Sequence, residues 1–331
     1  MSNLTDGTAY ADNSLNGIIR MNDQNLSDIE VSNLIQPTSF FAWLIWITAS
    51  NGSQHKWTVE TAAAAAVFRD LNASIANSAG SEKTVTANLL LMDASFDRDM
   101  ATEKIIKMGL GPYMEKETMK ALNAAFAKAE YQLIRGTGYD SDGWDGLIDQ
   151  LSLYDGMAYD AGGAGESRVY MMIGGEDDVA GVLGNDGNFK VSDPFPTKRF
   201  ADDASGDSHN VWAVDVHGWM AMQVAGKYSL AGAYNIDGTS THLVDDDLLA
   251  EIYSLFPSDR APFVNGILMS REGAKQLRKS RTATTPTGAP APFATSWDGA
   301  GRDIPIIISD AMDDAESTVT TTTTTTTTTA G

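Results

Sequence analysis

The sequence has no cysteine. Disulfides, thiolate catalysis and cysteine-based zinc sites are therefore excluded. Histidine is scarce: His55, His209, His217 and His242 are the full set, and no two stand at i, i+4 spacing. The helical paired-histidine metal motif is thus missing. Basic residues are few, 23 against 44 acidic ones, for a formal net charge of −21. Proteins that read DNA or RNA carry a basic footprint. The nearest thing to one, Arg271–Arg281, reads as one side of a short helix. There is no long hydrophobic run either. The most apolar stretch, Phe40–Ala49 (FFAWLIWITA), is shorter than the about 20 residues a membrane helix needs and stops at the turn pair Asn51-Gly52. The opening MSNLTDGTAYADNS lacks the basic and apolar regions of a secretory signal, so none is expected. A nucleophile elbow, a P-loop and a dinucleotide glycine fingerprint are also missing.

What remains is an acidic chain of 331 residues, enough for one large or two ordinary domains. At that length roughly three quarters of the unfolded surface can be buried without covalent staples. Residues 1–25 are polar and read as an extended arm. Ser27-Asp-Ile-Glu30 is a capping box with Leu26 and Val31 as its staple, which predicts a short helix ending before Pro37. A strand is expected over about 40–48, reversed by Asn51-Gly52 into Gln54–Glu60, with a further strand at Lys83–Met92. Together, 40–92 make a long two-stranded excursion with little of its own to bury its far end. Such an excursion is expected to lie on a neighbouring subunit.

Pro112–Arg135 carries the strongest helical pattern, with Met119, Leu122, Phe126, Ala129 and Leu133 on one face. Strands are expected at Arg168–Ile173, Asn210–Val216, Gly218–Ala225, Tyr228–Ile236, Phe263–Met269 and Asp303–Ser309. The three central ones are expected to be of an antiparallel kind. Helices are expected at Glu176–Leu183, at Asp245–Phe256 and after Ser270. Thr282–Gly301 reads as loop, and the ten threonines Thr320–Thr329 as a low-complexity tail.

Between helix and strands lies Gly136–Leu147, with four glycines and three aspartates in twelve residues. A calcium loop starting at Asp140 needs Asp or Asn at its fifth position and Glu at its twelfth. Those places hold Trp144 and Leu151, so the pattern fails. The glycines and aspartates then serve the backbone, by positive φ and by satisfying turn amides. Asp215 and His217 can share a strand face, but no nucleophile is marked beside them. Acidic pairs such as Asp177-Asp178, Asp202-Asp203 and Asp313-Asp314 are what chance supplies among 44 acids. The tryptophans Trp43, Trp46 and Trp57 sit on strand-like segments, where packing is the ordinary role.

The order of these stretches resembles the major capsid proteins of tailed bacteriophages, which share the Hong Kong 97-like capsid fold. Val67–Asn72, Lys83–Met92 and Phe96-Asp-Arg98 resemble the family's extended loop and its return. Helix 112–135 resembles the spine helix. Tyr139–Leu147, ending Gly-Trp-Asp-Gly-Leu, is similar to the family's Gly-Phe-Asp-Gly-Leu turn, with Trp144 in the Phe place. Arg168–Val182, His217–Asp237 and Ile304–Asp310 resemble its Gly-Glu-Asp-Val, Ala-Asn-Ile-Asp and terminal Ile-Pro segments.

The resemblance implies an α+β fold, with an N-terminal arm (1–41), an extended β-hairpin loop (42–93) and a peripheral domain with the spine helix and antiparallel strands (94–137). An axial domain of mixed or antiparallel sheet flanked by helices (138–301), a return strand (302–320) and the threonine-rich tail (321–331) complete it. It implies a non-enzymatic subunit that self-assembles into hexamers and pentamers of an icosahedral shell, without cofactor, metal or membrane. The shell is located in the virion, is assembled in the bacterial host cytoplasm, and encloses double-stranded DNA without reading its sequence. The partners implied are a separate scaffolding protein, a portal at one vertex and a decoration protein. Gly136, Gly138, Gly143 and Gly146 are the expected hinge, and Trp43, Trp46, Trp57, Phe68 and Arg69 the expected contacts between subunits. The competing readings are an acidic hydrolase using Asp215 and His217, and an encapsulin-like shell. A fibre or adhesin module, suggested by the Trp and Thr content, lacks the repeat it needs.

Overall fold

A computed structural model describes residues 36–64, 66, 68–71, 79–106, 109–153, 156–164, 167–184, 189–200, 208–239, 242–284 and 290–312. In chain order the elements are α1 (Ser39–Trp43), β1 (Trp46–Thr48), β2 (Gln54–Ala62), β3 (Ser81–Asn88), β4 (Leu90–Asp93), β5 (Phe96–Asp99) and α2 (Leu110–Arg135). Next come α3 (Leu147–Leu153), β6 (Ala158–Asp160), β7 (Ser167–Met172), β8 (Val179–Leu183), β9 (Lys190–Val191), β10 (Phe195–Phe200), β11 (Ser208–Val214) and β12 (Val216–Val224). The chain ends with β13 (Leu230–Ile236), α4 (Asp246–Ser254), β14 (Gly266–Met269), α5 (Arg271–Thr284), β15 (Ser296–Trp297) and β16 (Ile304–Ile308). The predicted helix up to residue 35, the Thr320–Thr329 tail, Asp202-Asp203 and Asp313-Asp314 lie outside the described residues.

The described residues divide into two compact units, one within 91–126 and 188–219, the other within 37–90, 127–187 and 220–312. These cut across the segments drawn from sequence, since 188–219 group with 91–126. In the smaller unit β11 runs antiparallel to β10 on one side and β5 on the other. Its core is Ile106, Tyr113, Met114, Val214 and Val216. The Phe189 ring lies where a Cβ on Gly218 would stand, 2.4 Å away, so glycine is required there.

In the larger unit six strands form one sheet in the order β15-β16-β14-β7-β13-β6. The inner strand β7 (SRVYMM) is buried at every position, and it pairs antiparallel with both β13 and β14. α3 and α4 pack on β13, α5 on β7 and α1 on β16. A strand covered on both faces has no solvent side, which is why β7 does not alternate apolar with polar. Asp245 caps α4 by accepting from the Leu248 amide at 2.8 Å, and Ser270 caps α5 by accepting from Gly273 at 3.1 Å. Arg281 near the end of α5 grips Asp246 at the start of α4 with two bonds of 3.0 and 2.6 Å. Such a two-point guanidinium–carboxylate fit fixes orientation as well as distance.

Several expectations are corrected. Residues 40–48 are not one strand: one helical turn comes first, closed by bonds from Ala42 to Thr38 and from Leu44 to Phe40. That turn places Phe40 and Trp43 on one side with ring centroids 6.0 Å apart, a contact at i, i+3 that an extended chain cannot make. The Asn51-Gly52 reversal is present, but β1 pairs in parallel with β8 and β2 pairs with β3. Residues 176–183 are a turn and then strand β8, not a helix. Gly181 is the physical reason: the Trp46 ring occupies the space over it, and glycine weakens a helix interior. The antiparallel strands expected at 210–236 are present as β11, β12 and β13, with β10 and β5, β8 and β9, and β7 as their antiparallel partners. Met119, predicted on the buried face of α2, is 55% exposed.

Candidate functional site: the glycine turn and the strand ribbon

α2 ends as its sequence demands. Gly136 follows Arg135 with φ +58°, the left-handed C′ position that glycine fills without strain. A Cβ at Gly136 would lie 1.8 Å from Asp149 Oδ2. That same oxygen accepts from the amides of Thr137 at 2.8 Å and Gly146 at 3.1 Å. Gly146 is the N-cap of α3 and Asp149 its third residue, so the bond to Gly146 is the returning half of a capping box. Inside the turn, Gln132 Nε2 donates to Trp144 O at 2.7 Å and to Asp140 O at 3.3 Å. A Cβ on Gly143 would meet the Gln132 amide at 2.3 Å, and one on Gly146 would meet Gly136 N at 2.4 Å. Gly138 differs: a Cβ there meets nothing within 4 Å.

The aspartates divide by environment. Asp140 accepts from the Asp142 amide at 3.1 Å and pairs with Lys128 at 2.8 Å. The Lys128 bond, before all else, holds the Asp140 carboxyl below its usual range. Burial, and then the nearby Asp149 charge, pushes Asp145 up. Sequence reasoning missed Gln132 and Asp149. The Gly146-x-x-Asp149 spacing carried a signal for the acid, while Gln132 reads only as one more helix residue.

β2 and β3 form a two-stranded ribbon with register from Gln54↔Asn88 to Ala62↔Ser81. Its base is fastened to the end of β12. His55 Nδ1 accepts from the Ser50 amide at 3.1 Å, so its proton resides on Nε2, which faces Gln223 Oε1 at 2.6 Å. The Gln223 amide is oriented in turn by donating to Glu176 O at 2.8 Å. Trp57 Nε1 donates to Ala225 O at 3.0 Å. Beyond β2, Phe68 and Leu71 are 109% and 94% exposed, and Arg69 is exposed beside them.

The expected contact residues therefore separate. The Trp43 ring covers Gly174 and Gly266, and the Trp46 ring covers Gly181. Trp46 Nε1 also donates to Phe41 O at 3.2 Å. Both tryptophans pack within their own chain, as Trp57 does through its indole N–H. Phe68 is the bare aromatic of the set.

The Asp215–His217 pair is not formed: among the described residues no hydrogen bond joins them. Ser192 Oγ accepts from the Asp215 amide at 2.9 Å. Asp93 is lowered first by the Ser95 hydroxyl and amide, with smaller help from the charges of His217 and Arg199. Asp178 is taken up by Ser229 and Arg260. No group of three His, Asp or Glu among the described residues is placed to hold a metal. An open cleft of about 580 Å³ in the smaller unit is lined by Arg98, Lys120 and Arg199 among others. Its cations are engaged: Arg199 pairs with Asp97 at 2.9 Å, Lys120 with Glu117 at 3.2 Å, and Arg98 lies over the Tyr113 ring at 4.6 Å. Among the described residues no helix is long and apolar enough to cross a membrane.

Neither a scan of protein-family models nor a search of curated proteins gives a match. Solved structures do. A near-atomic-resolution structure of bacteriophage Epsilon15 matches at TM-score 0.68 and 16% identity, over 96% of this chain and 99% of that one. The bacteriophage JBD30 capsid matches at TM-score 0.53 and 10% identity, over 89% of this chain and 98% of that one. At such identities the likeness establishes the fold, and the fold is the α+β, Hong Kong 97-like fold of phage capsid structures.

Proposed function

We propose that this chain is a major capsid protein of a tailed bacteriophage, a structural subunit that builds hexamers and pentamers of an icosahedral shell around double-stranded DNA. The observation that carries the reading is the likeness to bacteriophage Epsilon15 along 96% of the chain. The ribbon supports it independently. A two-stranded ribbon alone is marginally stable in water, and bare Phe68 and Leu71 add apolar surface to be covered. A neighbouring copy would provide that cover.

In this reading 1–41 is the arm, 42–93 the extended loop, α2 the spine, 138–301 the axial segment, 302–320 the return strand and 321–331 the tail. Residues 188–219 go with the peripheral part, following their grouping with 91–126. The turn at Gly136, Gly143 and Gly146 is the hinge leaving the spine. The role is non-enzymatic. A separate scaffolding protein, a portal at one vertex and a decoration protein are the proposed partners. The location is the virion, after assembly in the host cytoplasm. The acidic balance suits a shell that surrounds DNA without gripping it.

Negative-stain microscopy of the purified full chain tests the reading. Closed shells, or rings of five and six, are expected. A monodisperse monomer at every concentration and ionic strength would overturn it. Hydrogen exchange locates the contact: protection at Phe40–Met92 should rise on assembly, and unchanged exchange there removes the loop from the interface.

A further inference from the structure

The sequence holds three Asn-Gly pairs, at Asn16, Asn51 and Asn265. The last two lie among the described residues, in opposite surroundings. Asn265 is locked: its Oδ1 accepts from the Gly174 amide at 2.7 Å and its Nδ2 donates to Gly174 O at 2.8 Å. The following Gly266 lies in β14 under the Trp43 ring. Asn51 stands at the exposed reversal before β2. Its backbone closes the turn, with Asn51 N to Gln54 O at 3.0 Å and Gln54 N to Asn51 O at 2.6 Å. Its carboxamide has no partner among the described residues. Gly52 has φ +40° and open space on its Cβ side.

We infer that Asn51-Gly52 is a site of spontaneous deamidation, a covalent clock at the base of the ribbon. The chemistry needs no co-reactant but water. The Gly52 backbone nitrogen attacks Asn51 Cγ. A C–N bond forms, the bond from Cγ to the side-chain nitrogen breaks, and ammonia leaves with the Gly52 proton. The resulting cyclic imide adds water and opens to aspartate at one carbonyl or to isoaspartate at the other. Glycine favours the attack because no Cβ shields its nitrogen, and asparagine is among the thermolabile residues. Locking the carboxamide in two hydrogen bonds, as at Asn265, opposes it, since both bonds must break before Cγ can turn to the nitrogen.

The product matters to the fold. Either opening adds a negative charge to a chain already at −21. Isoaspartate also adds a methylene to the backbone inside a turn closed by two backbone hydrogen bonds to Gln54. The turn that positions His55 and Trp57 is thereby loosened. This chemistry does not rest on the proposed function.

The test is peptide mapping by mass spectrometry of the folded full chain, after incubation in mildly alkaline buffer. The Asn51 peptide is expected to exchange amide for acid, part of it as isoaspartate recognised by an isoaspartyl methyltransferase. The Asn265 peptide keeps its amide until the chain is unfolded in urea. Asn51→Gln should lose the signal at that peptide, and aged wild type should show faster exchange of the Gln54 amide. The inference is overturned if Asn51 in the folded chain keeps its amide as long as Asn265 does. It is equally overturned if Asn51 reacts only after unfolding.

Discussion

Glu130 is a fully buried carboxylate on α2 that accepts from the Phe41 amide at 3.0 Å and from the Ser309 hydroxyl. Burial pushes its carboxyl up, and hydrogen bonds, those from Phe41 and Ser309 first, only partly restrain the shift. The folded chain therefore binds this proton more tightly than the unfolded chain. The stability it contributes is greatest below the ordinary carboxyl range and declines as pH rises through the raised folded value. Glu130→Gln should flatten that decline in urea titrations run at several pH values; a slope like wild type would show that another group is responsible. Glu130→Ala leaves buried donors unmatched and should cost about 1–3 kcal/mol. Asp237 works in the opposite direction. The Thr239 hydroxyl and amide pull it down to about 2, so its contribution is present above the ordinary carboxyl range and fades as pH falls toward that value. The turn glycines also differ from one another. Gly136→Ala combines positive φ with the Asp149 clash and should cost about 1–3 kcal/mol. Gly138→Ala should stay within about 0.5 kcal/mol. Equal losses for the two, by urea denaturation, would contradict the geometry.

At the level of elements, the ribbon and α2 show which structure is written locally. α2 was legible because Pro112, the apolar spacing and Gly136 all lie within one stretch of sequence. The strands were legible as strands, yet their partners were not, because pairing joins residues far apart. Residues 176–183 misled for a related reason. Three acids before an apolar run suit a helix start, and only the Trp46 ring lying over Gly181, 135 residues away by their numbers, makes a strand the better answer. In the glycine turn the glycines stood out, but Gln132 is recognisable only once Trp144 O and Asp140 O surround its amide. The fastening of the ribbon was equally hidden, since no local pattern links His55 to Gln223. Gln223→Leu should release His55 and leave the Glu176 carbonyl, and the Asp178 carbonyl 3.4 Å from Gln223 Nε2, without that donor, costing about 1–3 kcal/mol. Hydrogen exchange should quicken first at 50–57, with β7 and β14 unaffected. Uniform quickening across the larger unit would mean that Gln223 supports the whole sheet and not the ribbon base.

For the whole molecule, charge and apolar surface oppose each other. Copies of a chain of net charge −21 repel when brought together, and exposed charges separated by more than a Debye length are largely screened. That length falls from about 10 Å at 0.1 M salt to about 3 Å at 1 M. If shells are held by apolar contacts through Phe68 and Leu71, raising salt should promote assembly, because it weakens the repulsion and leaves the apolar attraction. If ion pairs between copies hold them instead, the same salt should dissolve them. Light scattering of the full chain against sodium chloride therefore separates the two. The double variant Phe68→Asp, Leu71→Asp completes the test. Both side chains are exposed in the single chain, so its unfolding midpoint should match wild type while scattering stays at the level of the free subunit. Assembly by this variant with an unchanged salt response would place the holding contacts elsewhere on the surface.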